Sequence, residues 1–185
     1  MKLWLVRHAR PLIDPGVCYG RLDVAADPAA TQACALSLAA ALPPDLRVLA
    51  SGLRRARQLA QALLALRADL RLAVDERLGE MDFGQWEGVP WHDIPEDAVD
   101  RWARDFARHR FGGVESAADV LGRVAQALAA MSALDEAVWI THAGVIRAVH
   151  HLVRHGDGAA PTAATWPSQA PAFGEWTVLT IGEQA

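Results

Sequence analysis

The sequence predicts a three-layer α/β/α fold around a mostly parallel central sheet, and three observations carry that expectation. Short apolar runs alternate along the chain with longer segments of helical periodicity. The apolar runs are nearly unbroken, as in strands buried on both faces. Most glycines and prolines fall between these segments, so they punctuate the alternation.

Taken in order, Lys2 to Val6 reads as the first strand, ended by polar Arg7 and His8. Residues 9 to 27 hold Pro11, Pro15, Gly16 and Gly20 and read as loop. Asp27-Pro28 supplies a cap and a first-turn proline for a helix reaching Ala41, which Pro43-Pro44 stops. Arg47 to Ala50 is the second strand. A helix from Leu53 to Leu66 follows, with Leu59, Leu63 and Leu66 on one face. Leu70 to Val74 is the third strand, and Gly79 to Gly88 is a glycine-rich loop with carboxylates. The amphipathic stretch Trp91 to His109 is expected to be helical. A further helix is expected from Ser116 to about Leu134, with Val120, Leu121, Val124, Leu128 and Met131 on its apolar face. Ala137 to Ile140 is the fourth strand, running into Thr141-His142, and Gly144 to Arg154 is the helix after it. Pro161 to Phe173 is loop-rich, and Trp176 to Ile181 is the last strand. Nothing in this pattern divides the chain, so a single domain over residues 1–185 is expected.

Composition excludes several classes of function. The net charge is −4 and like charges do not run together, which argues against a nucleic-acid binder. The N-terminal apolar run is too short for a secretory segment, and no stretch is long enough to span a membrane. The two cysteines, Cys18 and Cys34, suit a reducing compartment better than a disulfide framework and are read as packing residues. A cytoplasmic enzyme acting on a small molecule, without metal or cofactor, is the resulting expectation, with oligomeric state open and a homodimer one option.

In an open parallel sheet, ligands bind beyond the carboxyl ends of the strands. Leu3 to Val6 leads into Arg7-His8, and Ala137 to Ile140 leads into Thr141-His142. If these strands are parallel neighbours, the two histidines emerge at one sheet edge.

The motifs LVRHA at 5–9, SGLRRA at 51–56, GEMDFGQWEG at 79–88, GGVES at 112–116 and THAGVIR at 141–147, in this order, resemble the histidine phosphatase superfamily, also called phosphoglycerate-mutase-like. The resemblance spans nearly the whole chain. It implies a phosphoryl-transfer site in which His8 attacks phosphorus while Arg7 and Arg55 grip phosphate oxygens through charge-assisted bonds. His142, protonated beside the phosphate, donates to a third oxygen. Backbone N–H groups at the helix start formed by Ala143 and Gly144 face the anion. Glu80 is the implied proton donor to the leaving oxygen and then the base for water, with Asp82 the competing candidate.

Within that superfamily, PGVCYGRLDV at 15–24 and the tryptophan-containing stretch after Gly88 look most like the α-ribazole phosphatase subgroup. That likeness implies α-ribazole 5′-phosphate as substrate, in assembly of the nucleotide loop of cobalamin. Gly20, Arg21 and Trp86 are then candidate substrate contacts, with Trp91 and Trp102 as further stacking surfaces. Two departures from the family pattern stand out. Ala9 replaces the usual glycine after the histidine, and Leu59 replaces a threonine, which suggests altered substrate preference. A broad-specificity phosphatase, a phosphoglycerate mutase and a non-catalytic phospho-ligand-binding module are the alternatives.

Other polar residues have plainer readings. Arg54, Arg57 and Arg67 are expected on a solvated helix face, and Glu115-Ser116 as a helix cap. His151 and His155 have a spacing that suits metal ligands, but a solvated helix end is the favoured reading.

Overall fold

The computed structural model describes residues 1–156 and 158–182. Its elements are β1 (Lys2–Arg7), α1 (Pro28–Ala41), β2 (Arg47–Ala50), α2 (Arg54–Leu66), β3 (Arg71–Val74), α3 (Glu96–Arg104), α4 (Ala117–Ala129), β4 (Glu136–Thr141), α5 (Ala143–His155) and β5 (Trp176–Thr180). The strands form one sheet in the order β3-β2-β4-β1-β5, parallel except for β5, which runs antiparallel along β1. This is the three-layer, mostly parallel arrangement expected from the sequence.

Alternation along the strands sorts the core into two layers. Trp4, Val6, Val48, Ala50, Val138 and Ile140 face α1 and α2, where they meet Leu38, Leu59 and Leu63. Leu3, Leu5, Leu49, Ala137 and Trp139 face the other way, onto Val120 and Val124 of α4 and Val145 and Val149 of α5. The central strands are apolar on both faces because both faces are covered. Leu59 is fully buried in the first layer, so the departure at this position serves packing.

Local signals set the helix starts. The Asp27 carboxylate accepts from the Ala30 N–H at 2.8 Å, with Pro28 in the first turn of α1. Ser116 and Asp119 form a reciprocal capping box that opens α4, as read from Glu115-Ser116. Three expectations need correction. Trp91 to His109 is not one helix: a single 3₁₀ turn spans Trp91–Asp93, and α3 begins only after Pro95. Proline holds the preceding Ile94 in extended backbone, which breaks the periodicity that suggested continuity. The following helix ends at Ala129, short of Leu134. Arg67 is no solvated residue; its guanidinium donates to the carbonyls of Ala39, Leu42 and Pro43 and pairs with Asp69, tying the end of α2 to the end of α1.

No helix among the described residues is long and apolar enough to cross a membrane. Cys18 and Cys34 are free and buried.

Candidate active site

The site is built by three adjacent strand ends. In the β1–β4 register Arg7 lies opposite Thr141, and in the β2–β4 register Ala50 lies opposite Ile140. His8, His142 and Ser51 are therefore the residues that leave β1, β4 and β2 at the same edge. The rings of His8 and His142 are 5.0 Å apart, so the two histidines converge as the parallel pairing requires.

His8 is buried, and its surroundings fix its tautomer. The Ala9 carbonyl, which only accepts, lies 2.7 Å from Nδ1, and the Arg55 Nε–H, which only donates, lies 3.2 Å from Nε2. Nδ1 thus carries the hydrogen and Nε2 the lone pair. Burial, helped by the Arg55 and Arg7 charges and opposed by the Ala9 bond, pushes the His8 pKa down to about 3. The ring is neutral at physiological pH, the form a nucleophile needs.

The proton expected on His142 belongs to the phosphate-bound site, and the residue's own surroundings disfavour it. His142 is fully buried, and burial together with His8, Arg55, Arg123 and Arg7 holds its pKa well below the ordinary histidine value. Its Nε2 is 2.9 Å from Ser51 Oγ, which accepts from the Leu53 N–H at 3.2 Å. Without a bound anion the ring is neutral, and only a negative ligand would raise its affinity for a proton.

Both candidate arginines reach this edge. Arg55 is fully buried at the start of α2, donating from Nη1 to Leu22 O at 2.8 Å and from Nη2 to Gly20 O at 2.6 Å. Arg7 donates to Pro171 O at 3.1 Å and lies 3.8 Å above the Phe173 ring. Burial lowers the pKa of both guanidiniums, and Glu80 opposes the shift in each; arginine stays charged regardless.

Glu80 joins the site through the loop after β3. Thr141 Oγ1 donates to Leu78 O at 2.7 Å, and Arg123 donates to the carbonyls of Arg77 and Gly79 while pairing with Glu115. Held on both sides, Glu80 places Oε2 3.0 Å from the Gly144 N–H and Oε1 3.0 Å from the Met81 N–H. Ala143 begins α5 and lies buried next to His142. The Gly144 N–H expected to face a ligand anion is thus taken by the protein's own carboxylate. A Cβ at 144 would press into that carboxylate, which is why glycine stands there. Asp82 is turned elsewhere: its carboxylate accepts from the Gly84 N–H, and it lines a surface cleft with Arg21, Arg110 and Glu115.

The three substrate-contact candidates have different placements. Gly20 is a backbone joint, with its N–H on Glu87 and its carbonyl on Arg55, and a side chain there would collide with Met81 O. Arg21 is exposed on the cleft it shares with Asp82. Trp86 packs against Phe111 at 5.9 Å, inside an aromatic cluster. Trp102, by contrast, lines a cavity that Glu80 also lines. His151 is not solvated but buried, with Nε2 3.1 Å from Ala159 O; no metal-holding group of side chains occurs among the described residues.

Sequence reasoning missed Ser51, Phe173, Glu87 and Tyr19, whose ring centre lies 5.2 Å from the Arg55 guanidinium. Glu87 binds four backbone N–H groups, of Gly20, Arg21, Leu22 and Phe83. It thereby shapes the loop whose carbonyls seat Arg55. Ser51 and Glu87 lie inside motifs already quoted, but their partners are remote in sequence and no local pattern signals them.

Comparison with known proteins bears on the family and the fold. Residues 3–163 match the histidine phosphatase superfamily (branch 1). No curated protein matches in sequence. The fold superposes on a mycobacterial glucosyl-3-phosphoglycerate phosphatase with a TM-score of 0.79 at 26% identity, covering 96% of this chain and 88% of that one. An Escherichia coli protein provisionally assigned as an α-ribazole-5′-P phosphatase gives 0.80 at 26% identity, covering 99% and 91%. A Thermus thermophilus protein gives 0.71 at 29% identity, covering 97% and 93%. With the family match spanning most of the chain, the protein belongs to branch 1 of the histidine phosphatase superfamily and is a phosphomonoester hydrolase.

Proposed function

We propose that hydrolysis proceeds through a phosphohistidine on His8 and that the substrate is α-ribazole 5′-phosphate. In the first step Nε2 attacks phosphorus, the P–O ester bond breaks, and Glu80 gives its proton to the leaving oxygen. In the second, water attacks the phosphohistidine, Glu80 takes a proton from that water, and the P–N bond breaks to release phosphate. Arg7, Arg55 and the Ala143 N–H bind the phosphoryl oxygens. A bound dianion draws a proton onto His142, which then donates to another oxygen.

The observation that carries this reading is the His8 ring, neutral and fixed by Ala9, with its Nε2 lone pair toward the Arg55 guanidinium. The substrate assignment is supported by the loop at 15–24 and by the likeness to the Escherichia coli protein. The experiment is to mix protein with a labelled phosphate ester and trap an acid-labile, base-stable phosphoprotein. Wild type should form it and His8→Ala should not; the reverse result discards the mechanism. Turnover of α-ribazole 5′-phosphate well above that of phosphoglycerates and sugar phosphates is expected, and equal turnover discards the substrate.

A further inference from the structure

A cavity of about 150 Å³ has Glu80, Gly144 and Arg147 as the polar part of its lining. The rest of its wall is apolar and aromatic, built from Phe83, Trp102, Phe106 and Trp166. Phe83 meets Trp102 edge-on at 6.3 Å, Trp102 stacks on Phe106 at 5.4 Å, and Phe106 meets Trp166 at 5.5 Å, so the rings form one continuous shell. A single aromatic ring fills a space of this size.

We infer that this cavity seats the alcohol part of the substrate and selects esters whose leaving group carries a flat, apolar ring. The inference rests on Glu80 being the group that protonates the leaving oxygen. With that oxygen at Glu80, the body of the alcohol extends from the polar part of the lining into the aromatic shell. A flat ring presents its faces to Trp102, Phe106 and Trp166, whereas a polyol arm would bury hydroxyls against rings that offer them no acceptor. An apolar pocket rejects one added hydroxyl by up to about a hundredfold. Trp166 stands on the segment between α5 and β5 and is half-buried.

The test compares benzyl phosphate with glycerol 3-phosphate, both of which release a primary alcohol, in wild type, Trp166→Ala and Phe106→Leu. Wild type should favour benzyl phosphate by about tenfold or more in kcat/KM. Both variants should lose most of that preference, chiefly through a fall in kcat/KM for benzyl phosphate. No preference in wild type, or variants that slow both esters equally, would overturn the inference. Breakdown of the phosphoenzyme, measured after the alcohol has left, should be the same for both esters and all three proteins. Absence of any phosphoenzyme would instead count against the mechanism, which separates the two failures.

Discussion

Arg55 Nε lies 3.2 Å from His8 Nε2, so the nitrogen that is to attack phosphorus already faces a fixed positive charge. The contact lowers the ring's affinity for a proton and sets a cation where phosphoryl oxygens would arrive. Replacing Arg55 with Met removes both effects. The expected outcome is a fall in phosphoenzyme formation of about a hundredfold or more, a typical loss for one preorganised donor. The His8 pKa should also rise from about 3, which NMR titration of the ring reads directly.

The position of Arg55 depends on a residue that never touches His8. The Glu87 carboxylate gathers the N–H groups of Gly20, Arg21 and Leu22, and the carbonyls of Gly20 and Leu22 then hold the guanidinium. Glu87→Ala leaves those N–H groups without their acceptor, at about 1–3 kcal/mol for each that stays buried. We expect a lower midpoint of unfolding and a fall in kcat/KM of about tenfold or more, with the phosphoenzyme still formed on His8. A variant with unchanged kinetics would mean that Arg55 is placed by α2 alone.

Much of this was legible in the sequence, and the reason is local. Strands buried on both faces read as unbroken apolar runs, so β1, β2 and β4 and the histidines that follow β1 and β4 could be placed with no other information. Parallel pairing of β1 with β4 then brought His8 and His142 together. The less legible parts depend on contacts between distant segments. Glu87 against residues 20–22 and Glu80 against Gly144 each join segments far apart in the chain. Arg21 and Trp86 were named from motif likeness, and only the packed structure separates them from Trp102.

Two neutral histidines in the interior have a consequence for stability. The unfolded chain protonates His8 near 6.5, whereas the folded chain does so only near 3, so between these values the unfolded state binds more protons. Stability must therefore fall as pH drops below 6.5, by about 2 kcal/mol for such a histidine between pH 7 and pH 5. His142 is shifted in the same direction and adds to the loss. Urea midpoints at the two pH values measure it, and His8→Asn should flatten the dependence.

His142 offers a separate test of anion binding. Its pKa is held down by burial and by neighbouring cationic groups, and a tetrahedral dianion at the site would reverse that balance. Sulfate does not titrate near neutrality, so proton uptake on its binding comes from the protein. Calorimetry in buffers of different ionisation enthalpy should give uptake of about one proton at pH 7.5, retained in His8→Asn and lost in His142→Asn. Binding without uptake would mean that His142 acts only as a neutral donor.

The Glu80–Gly144 contact permits the two halves of catalysis to be separated. A methyl group at 144 would press into the Glu80 carboxylate, while alanine suits the first turn of α5 at least as well as glycine. Gly144→Ala should therefore keep the fold and displace the carboxyl. An ester that releases 4-nitrophenol needs no acid for its first step, so His8 should still be phosphorylated. The second step needs Glu80 to take a proton from water, and should slow by about a hundredfold or more. The result is a burst of 4-nitrophenol equal to the enzyme concentration, followed by slow turnover, with phosphohistidine accumulating. Glu80→Gln should behave in the same way, because it removes the base without adding the methyl group. If both variants turn over without a burst, dephosphorylation is not the step that Glu80 serves, and the base must be sought elsewhere.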